Sequence, residues 1–279
     1  MLAKILSLFL VGETLLVCSG FVAARPVTDP DGPLANRSSG LLTNLVSRAK
    51  AQVPLYERCK KKRQIAMTFD DGPLFGGFTA SLLEQYGGKG TYFVNGQNSD
   101  CIYSQERVDD LRARYYAGHV IGSHLWTHQD IKTLTSEELH RELDLLETAL
   151  WKILGIKPRF FRPPYGEFDS KSLKVLKQRG YKVVLWDFDS GDGIEATPEQ
   201  SIEGYKELVA SFPSPHIALN HEIESNTVWW VMPTVMPWLK DAGYKFVDLG
   251  KCLAIEPYQA VGAPSERDST WTCDSVAKP

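Results

Sequence analysis

The chain has no strong excess of charge. Its 31 Lys and Arg nearly balance 34 Asp and Glu, leaving a formal net charge of −3 over 279 residues. So small an excess makes no case for binding nucleic acid or an anionic membrane. Beyond the N-terminus no run is apolar enough to span a bilayer. The final stretch, APSERDSTWTCDSVAKP, lacks the apolar end of a lipid-anchor signal. No Gly-x-Gly-x-x-Gly follows the first apolar strand, which argues against a dinucleotide site. Cysteine is sparse, with five residues, and their spacings are not those of a zinc ribbon.

The N-terminus is informative. Met1–Lys4 is a short positive start, Ile5–Val17 is mostly apolar but broken by Gly12 and Glu13, and Val22-Ala23-Ala24 has small-residue cleavage character. This pattern predicts a secretory signal over 1–24 and a secreted protein, extracellular or in a cell wall. A membrane anchor is the alternative, but the run falls short of the ~20 residues a span needs. No membrane association is expected after cleavage. Cys18 leaves with the signal, so Cys59, Cys101, Cys252 and Cys273 remain, an even number for an oxidising compartment. Three pairings are open. A Cys59–Cys252 bridge would staple the two ends of the folded core, leaving Cys101 with Cys273. Residues 25–55 are rich in Pro, Gly, Ser and Asn and read as a linker or propeptide-like segment, with a glycosylation sequon at Asn36.

From Tyr56 onward strand-like and helical patterns alternate. Strands are expected at 65–69, 90–96, 119–124, 181–189, 216–221 and 244–253, with an extended segment at 158–164. Helices are expected at 76–87, 104–119, 135–155, 169–180, 197–212 and 227–243, the last despite Pro233 and Pro237. The 135–155 helix opens on a capping box, Thr135 with Glu138, and closes at Gly155. Such alternation predicts a parallel sheet with helices outside, a barrel or a doubly wound sheet. The residues that look chemical all follow strands: Asp70, Asp71, His124, Arg162, Asp189, Asp192 and His221. That placement favours a barrel, whose site gathers at its C-terminal rim. The domain is expected over 56–255, with 256–279 as a tail.

Five motifs carry candidate chemistry. IAMTFDDGP (65–73) ends a strand in two adjacent carboxylates, which repel unless something compensates. In SHLWTHQD (123–130), His124 and His128 are four apart, so one helical turn would place both imidazoles on one face. Two histidines and an aspartate make three protein ligands and leave a position open, the set of a catalytic zinc site. One Asp then binds the metal and the other is free for acid/base work. RFFRPPYGEFD (159–169) offers Arg162 as a carboxylate clamp, although this motif alone favours a surface arginine in a proline turn. WDFDSGD (186–192) places three carboxylates after an apolar strand, and IALNHE (217–222) ends one in His221. His119, His140 and His216 are read as structural. Trp229 and Trp230 could stack on sugars, but the apolar helix pattern reads them as core.

In this order, the five motifs resemble those of the polysaccharide deacetylase family, carbohydrate esterase family 4. Thr68–Pro73 gives six consecutive identities, followed by His124 and His128, Arg162-Pro163-Pro164-Tyr165, Asp189-Ser190-Gly191-Asp192 and Leu219-Asn220-His221. The resemblance covers roughly 56–255 and implies an α/β fold, a distorted, incomplete (β/α) barrel. Cys59 and Cys252 resemble the terminal bridge of fungal chitin deacetylases. The resemblance implies Asp71, His124 and His128 as ligands for Zn²⁺, with Co²⁺ a second candidate. It implies Asp70 as general base, Arg162 as its partner, His221 as general acid and Asp192 as its orienting carboxylate. Tyr165 would donate its backbone N–H to the oxyanion, and Leu219 would line the acetyl pocket. The implied reaction removes N-acetyl groups from chitin or its oligomers, by a monomer. Acetylxylan esterase or another polysaccharide deacetylase is the alternative of the same chemistry; a non-catalytic chitin-binding protein is the alternative of another class. Three positions depart from the pattern: Leu125 for Ser or Thr, Gly193 for an aromatic, and Glu222 for Asp.

Overall fold

A computed structural model describes residues 53–274. The signal segment 1–24, nearly all of 25–55 and the Asn36 sequon lie outside the described residues. No helix among the described residues is long and apolar enough to cross a membrane.

Apolar, both-faced strands make the centre. β2 (Gln64–Gly72) is buried along Ile65–Asp70 without alternation, as a strand covered on both faces must be. To one side it pairs in parallel with β9 (His216–His221), and to the other with β3 (Thr91–Val94). Outward from β3 lie β4 (Val120–Ser123), β6 (Phe160–Phe161), β7 (Lys182–Val184) and β1 (Leu55–Tyr56). β8 (Phe188–Asp189) flanks β9, and β10 (Lys245–Phe246) pairs with the start of β2. Every pairing in this nine-stranded sheet is parallel. Its path ends at β1 and β8, which do not pair with each other. The sheet curls into a half-barrel and the (β/α) barrel is incomplete.

Helices run outside the sheet: α1 (Gly76–Gln85), α2 (Gln105–Tyr116), α3 (Ser136–Leu154), α4 (Ser170–Gln178), α5 (Pro198–Ala210) and α6 (Met232–Ala242). The Thr135–Glu138 capping box forms, and Gly155 closes α3 in the left-handed conformation. The 227–243 segment divides, with Thr227–Val231 forming one π-helical turn ahead of α6. Trp229 and Trp230 on that turn are half exposed, against the expectation of core positions.

Two further segments depart from expectation. The last strand expected over 244–253 is only β10. Asp248 then caps a short helix, α7 (Leu249–Leu253), by accepting from the Lys251 N–H. A carboxylate two residues past the strand offers the backbone a better partner than the sheet edge does. The segment read as a tail adds β11 (Tyr258–Val261), antiparallel to β5 (Ile156–Pro158), and buries Trp271 and Cys273. Val53, within the expected linker, is also buried. Two disulfides close the domain, Cys59–Cys252 and Cys101–Cys273.

Candidate active site

Adjacent strand residues ordinarily point to opposite faces. Asp70 and Asp71 nevertheless line one cavity of about 380 Å³. The strand makes this possible by bulging: its register against β3 shifts between Asp70 and Gly72, and Asp71 has φ of 72°. Glu222 holds the turn that follows. Its Oε1 accepts from the Leu74 N–H at 2.9 Å, and its Oε2 pairs with buried Arg114 at 2.6 Å. A Cβ on Gly72 would lie 1.6 Å from that carboxylate, so the glycine is required by close approach.

Asp70 is clamped. Its Oδ1 accepts from Arg162 Nη1 at 2.8 Å. Arg162 is wholly buried, not a surface arginine. It also donates to Thr68 Oγ1 and to the carbonyls of Val184 and Leu185, and its guanidinium lies 4.4 Å from the Phe93 ring centre. Held by these other bonds, it presents a single fixed N–H donor to Asp70.

Asp71 faces two imidazoles. Its Oδ1 lies 3.4 Å from His124 Nε2 and 3.1 Å from His128 Nε2. The three ligand atoms fall within 4.8 Å of one another. That Oδ1 is buried and has no hydrogen-bond partner among the described residues. A buried carboxylate oxygen without a donor is costly, and a cation supplies what is missing. His124 Nδ1 sits 2.7 Å from the Arg162 carbonyl, so Nδ1 carries the proton and Nε2 keeps its lone pair for a metal. Burial above all, then the neighbouring His124, pushes the His128 pKa down to about 4. Burial works to raise Asp71, but the close His124 ring first, then the charges of His128 and His221, outweigh it and hold Asp71 at about 2. An ionised Asp71 and a neutral His128 are in the protonation states a divalent metal takes. The residues therefore fit the cation.

The two histidines do not share a helical turn. Residues 124–130 form a loop, with Leu125 at φ 69° and His128 at φ 60°. Bonds to neighbouring elements win over local helix formation. Asn95 Nδ2 donates to the Leu125 carbonyl, and the Gly96 and Gln97 N–H groups donate to the Trp126 carbonyl. Glu142 of α3 reaches across to accept from the Thr127 N–H at 2.8 Å. Leu125 is buried within the loop, an apolar anchor where the motif resemblance implies Ser or Thr.

His221 ends β9 opposite. Its Nδ1 is 2.7 Å from Asp192 Oδ1, leaving Nε2 for the cavity. Asp192 Oδ2 accepts from the His221 N–H and from the Thr227 hydroxyl. Burial opposes the charged ring, but the bond to Asp192 and its charge prevail and push His221 up to about 9. Gly193 passes directly against this ring: a Cβ there would lie 2.5 Å from Cε1. An aromatic at that position would displace the histidine, so the departure has a steric reason. Ile194, next in line, is exposed at the cavity mouth.

Tyr165 lies in a 3-10 turn at φ 60°, its ring 4.7 Å from that of His128. As the second residue of the turn, its N–H has no partner within it. Leu219 lines the cavity. Asp187 serves elsewhere, on Arg58 and His216, whereas Asp189 lines the cavity and accepts from the Gly191 N–H. His119, His140 and His216 stay away from the cavity, accepting from Gly90, meeting Arg179 and bonding Ser211 and Asp187 respectively. Sequence reasoning missed Thr68, Glu142, Trp186 and Thr227. Thr68 stood inside the first motif, and Trp186, which lines the cavity with its ring beside the Arg162 guanidinium, opens the fourth; Glu142 and Thr227 carry no local signal.

Residues 57–184 match the polysaccharide deacetylase family. The chitin deacetylase of Colletotrichum lindemuthianum is 32% identical over 226 residues, 77% of this chain and 90% of that protein. The peptidoglycan-N-acetylglucosamine deacetylase of Bacillus cereus is 30% identical over 198 residues, 67% of each. The solved structure of the chitin deacetylase from C. lindemuthianum superposes with a TM-score of 0.71 at 30% identity, covering 75% of this chain and 97% of that one. With this fold, these motifs and these relatives, the chain belongs to the polysaccharide deacetylase family.

Proposed function

We infer that the protein hydrolyses the N-acetyl groups of chitin or its oligomers, giving a free amine and acetate. The observation that carries this reading is the convergence on one cavity of three groups: clamped Asp70, the Asp71–His124–His128 cluster, and His221 backed by Asp192. The fungal chitin deacetylases among its relatives support chitin as substrate.

Asp71, His124 and His128 would hold Zn²⁺, which suits one carboxylate and two imidazoles. When bound, the ion activates water and polarises the acyl oxygen. Asp70 takes the proton of the attacking water, and Arg162 keeps its carboxylate aimed. The Tyr165 N–H donates to the developing oxyanion, an interaction worth about 3 kcal/mol per donor. His221 Nε2 delivers a proton to the leaving sugar amine, and Asp192 keeps the ring charged and oriented. Leu219 borders the place of the acetyl methyl. The two disulfides support action outside the cell, following export by residues 1–24, as a monomer glycosylated at Asn36.

Acetate release from chitin oligomers in the presence of Zn²⁺, with acetylxylan assayed beside them, tests the reading. Asp70→Asn should lower kcat by roughly 10²–10⁴-fold, the usual worth of a general base. An undiminished rate would remove Asp70 from the chemistry, and acetate from acetylxylan alone would move the substrate.

A further inference from the structure

Eight large apolar side chains are exposed among the described residues. Five of them, Phe78, Tyr165, Ile194, Trp229 and Trp230, follow the C-terminal ends of the parallel strands. They belong to the rim that bears the site. Tyr165 and Ile194 line the cavity itself. Phe78 and Trp229 stand together beyond it. Their ring centres are 4.3 Å apart with planes tilted by 54°, and Phe75 adds a third ring 6.1 Å from Trp229, tilted by 57°, so the cluster is an angled aromatic surface with Trp229 as its most exposed face. Trp229 is 53% exposed and Phe78 37%, so the stack faces solvent rather than the core.

Both segments of the stack are continuations of the site. Phe75 and Phe78 follow the Asp70–Pro73 turn at the start of α1. Trp229 lies five residues past Glu224, which lines the cavity, and the Val228 N–H bonds to the Glu224 carbonyl. Five helical residues rise only ~7 Å. Thr227, two residues before Trp229, is bonded to Asp192. A π-turn sits here, a feature that often marks function.

We propose that Phe75, Phe78 and Trp229 form a stacking platform for pyranose rings of the same glycan chain, beyond the ring whose acetamide occupies the cavity. This rests on the deacetylase reading and names its substrate as a chain of several sugars. The chemistry points to that occupant. Neither LFGGFT (74–79) nor TVWWV (227–231) carries a charge. An uncharged sugar offers a C–H face to flat rings and hydroxyls to the surrounding water. The patch also lies within five residues of the cavity lining along both segments, Asp71 to Phe75 and Glu224 to Trp229.

Binding of the N-acetylglucosamine hexamer and dimer to the Asp70→Asn protein, by calorimetry, tests the platform. Trp229→Ala should weaken the hexamer about tenfold and leave the dimer unchanged. Trp229→Phe should keep most of the affinity. Trp230→Ala should change neither, because Trp230 is 49% exposed but joins no ring stack among the described residues. Equal losses for both lengths, no loss for either, or no hexamer binding at all would overturn the proposal. So would a Trp229-dependent dimer in sedimentation, which would make the patch an interface between copies. Failure of the deacetylase reading shows separately, as no acetate from any oligomer with the unsubstituted protein. Length-dependent loss on Trp229→Ala would still support the platform in that case.

Discussion

His221 is under two opposed pressures. Burial disfavours its charged form, while Asp192 at 2.7 Å from Nδ1 favours it and wins, giving about 9. A proton donor must be charged at working pH, so kcat should hold through neutrality and fall as pH rises through about 9. Asp192→Asn should drop that alkaline limb toward the ordinary histidine value of ~6.5. Rate profiles of the two proteins check this, and a limb that stays in place would detach Asp192 from the acid. Stability carries the same sign. The folded value lies above the unfolded one, so the pair's contribution is full below ~6.5 and lost as pH rises through about 9.

Elements hold the site through single reaching side chains. The loop between His124 and His128 has no regular structure of its own, so α3 steadies it through Glu142, buried and bonded to the Thr127 N–H. Glu142→Gln keeps the shape but weakens that acceptor. It should lower metal affinity about tenfold, in the range for groups that orient ligands. Competition with a chromophoric chelator measures the affinity, and saturating metal should restore most of the rate. Unchanged affinity would leave Glu142 a purely structural contact. At the facing end, β9 steadies the Asp70–Asp71 turn through Glu222, whose longer side chain reaches Leu74 and Arg114 together.

Across the whole molecule, two covalent links join segments that are distant in sequence, with separations of 193 and 172 residues. Cys59 lies beside the His216 carbonyl, at the start of β9, whereas His221 at its end faces the cavity. Replacing Cys59 and Cys252 together by Ser should therefore lower stability by about 2–5 kcal/mol while sparing kcat at 25 °C. Thermal unfolding and acetate release on the same sample separate the two effects. Equal stability would mean that the half-barrel closes its ends without the bridge. The Cys101–Cys273 link acts on a different part, holding the segment that follows β11 against the loop before α2.

Local sequence determined the alternating strands and helices, the capped start and glycine stop of α3, and the chemical types at the strand ends. These depend on periodicity and on neighbours three or four residues apart, which a chain carries in its order. The tertiary structure alone decided how those types meet. The bulge at Asp71 turned two alternating carboxylates into one cavity. Bonds from Asn95, Gly96, Gln97 and Glu142 made a loop of what spacing read as a helical turn. Solvent reached Trp229 and Trp230 because the π-turn carries them to the rim. Asp248 ended the last strand after two residues, and β5 supplied an edge for the segment read as a tail. Each outcome rests on partners far along the chain, and such partners become neighbours only when the sheet curls.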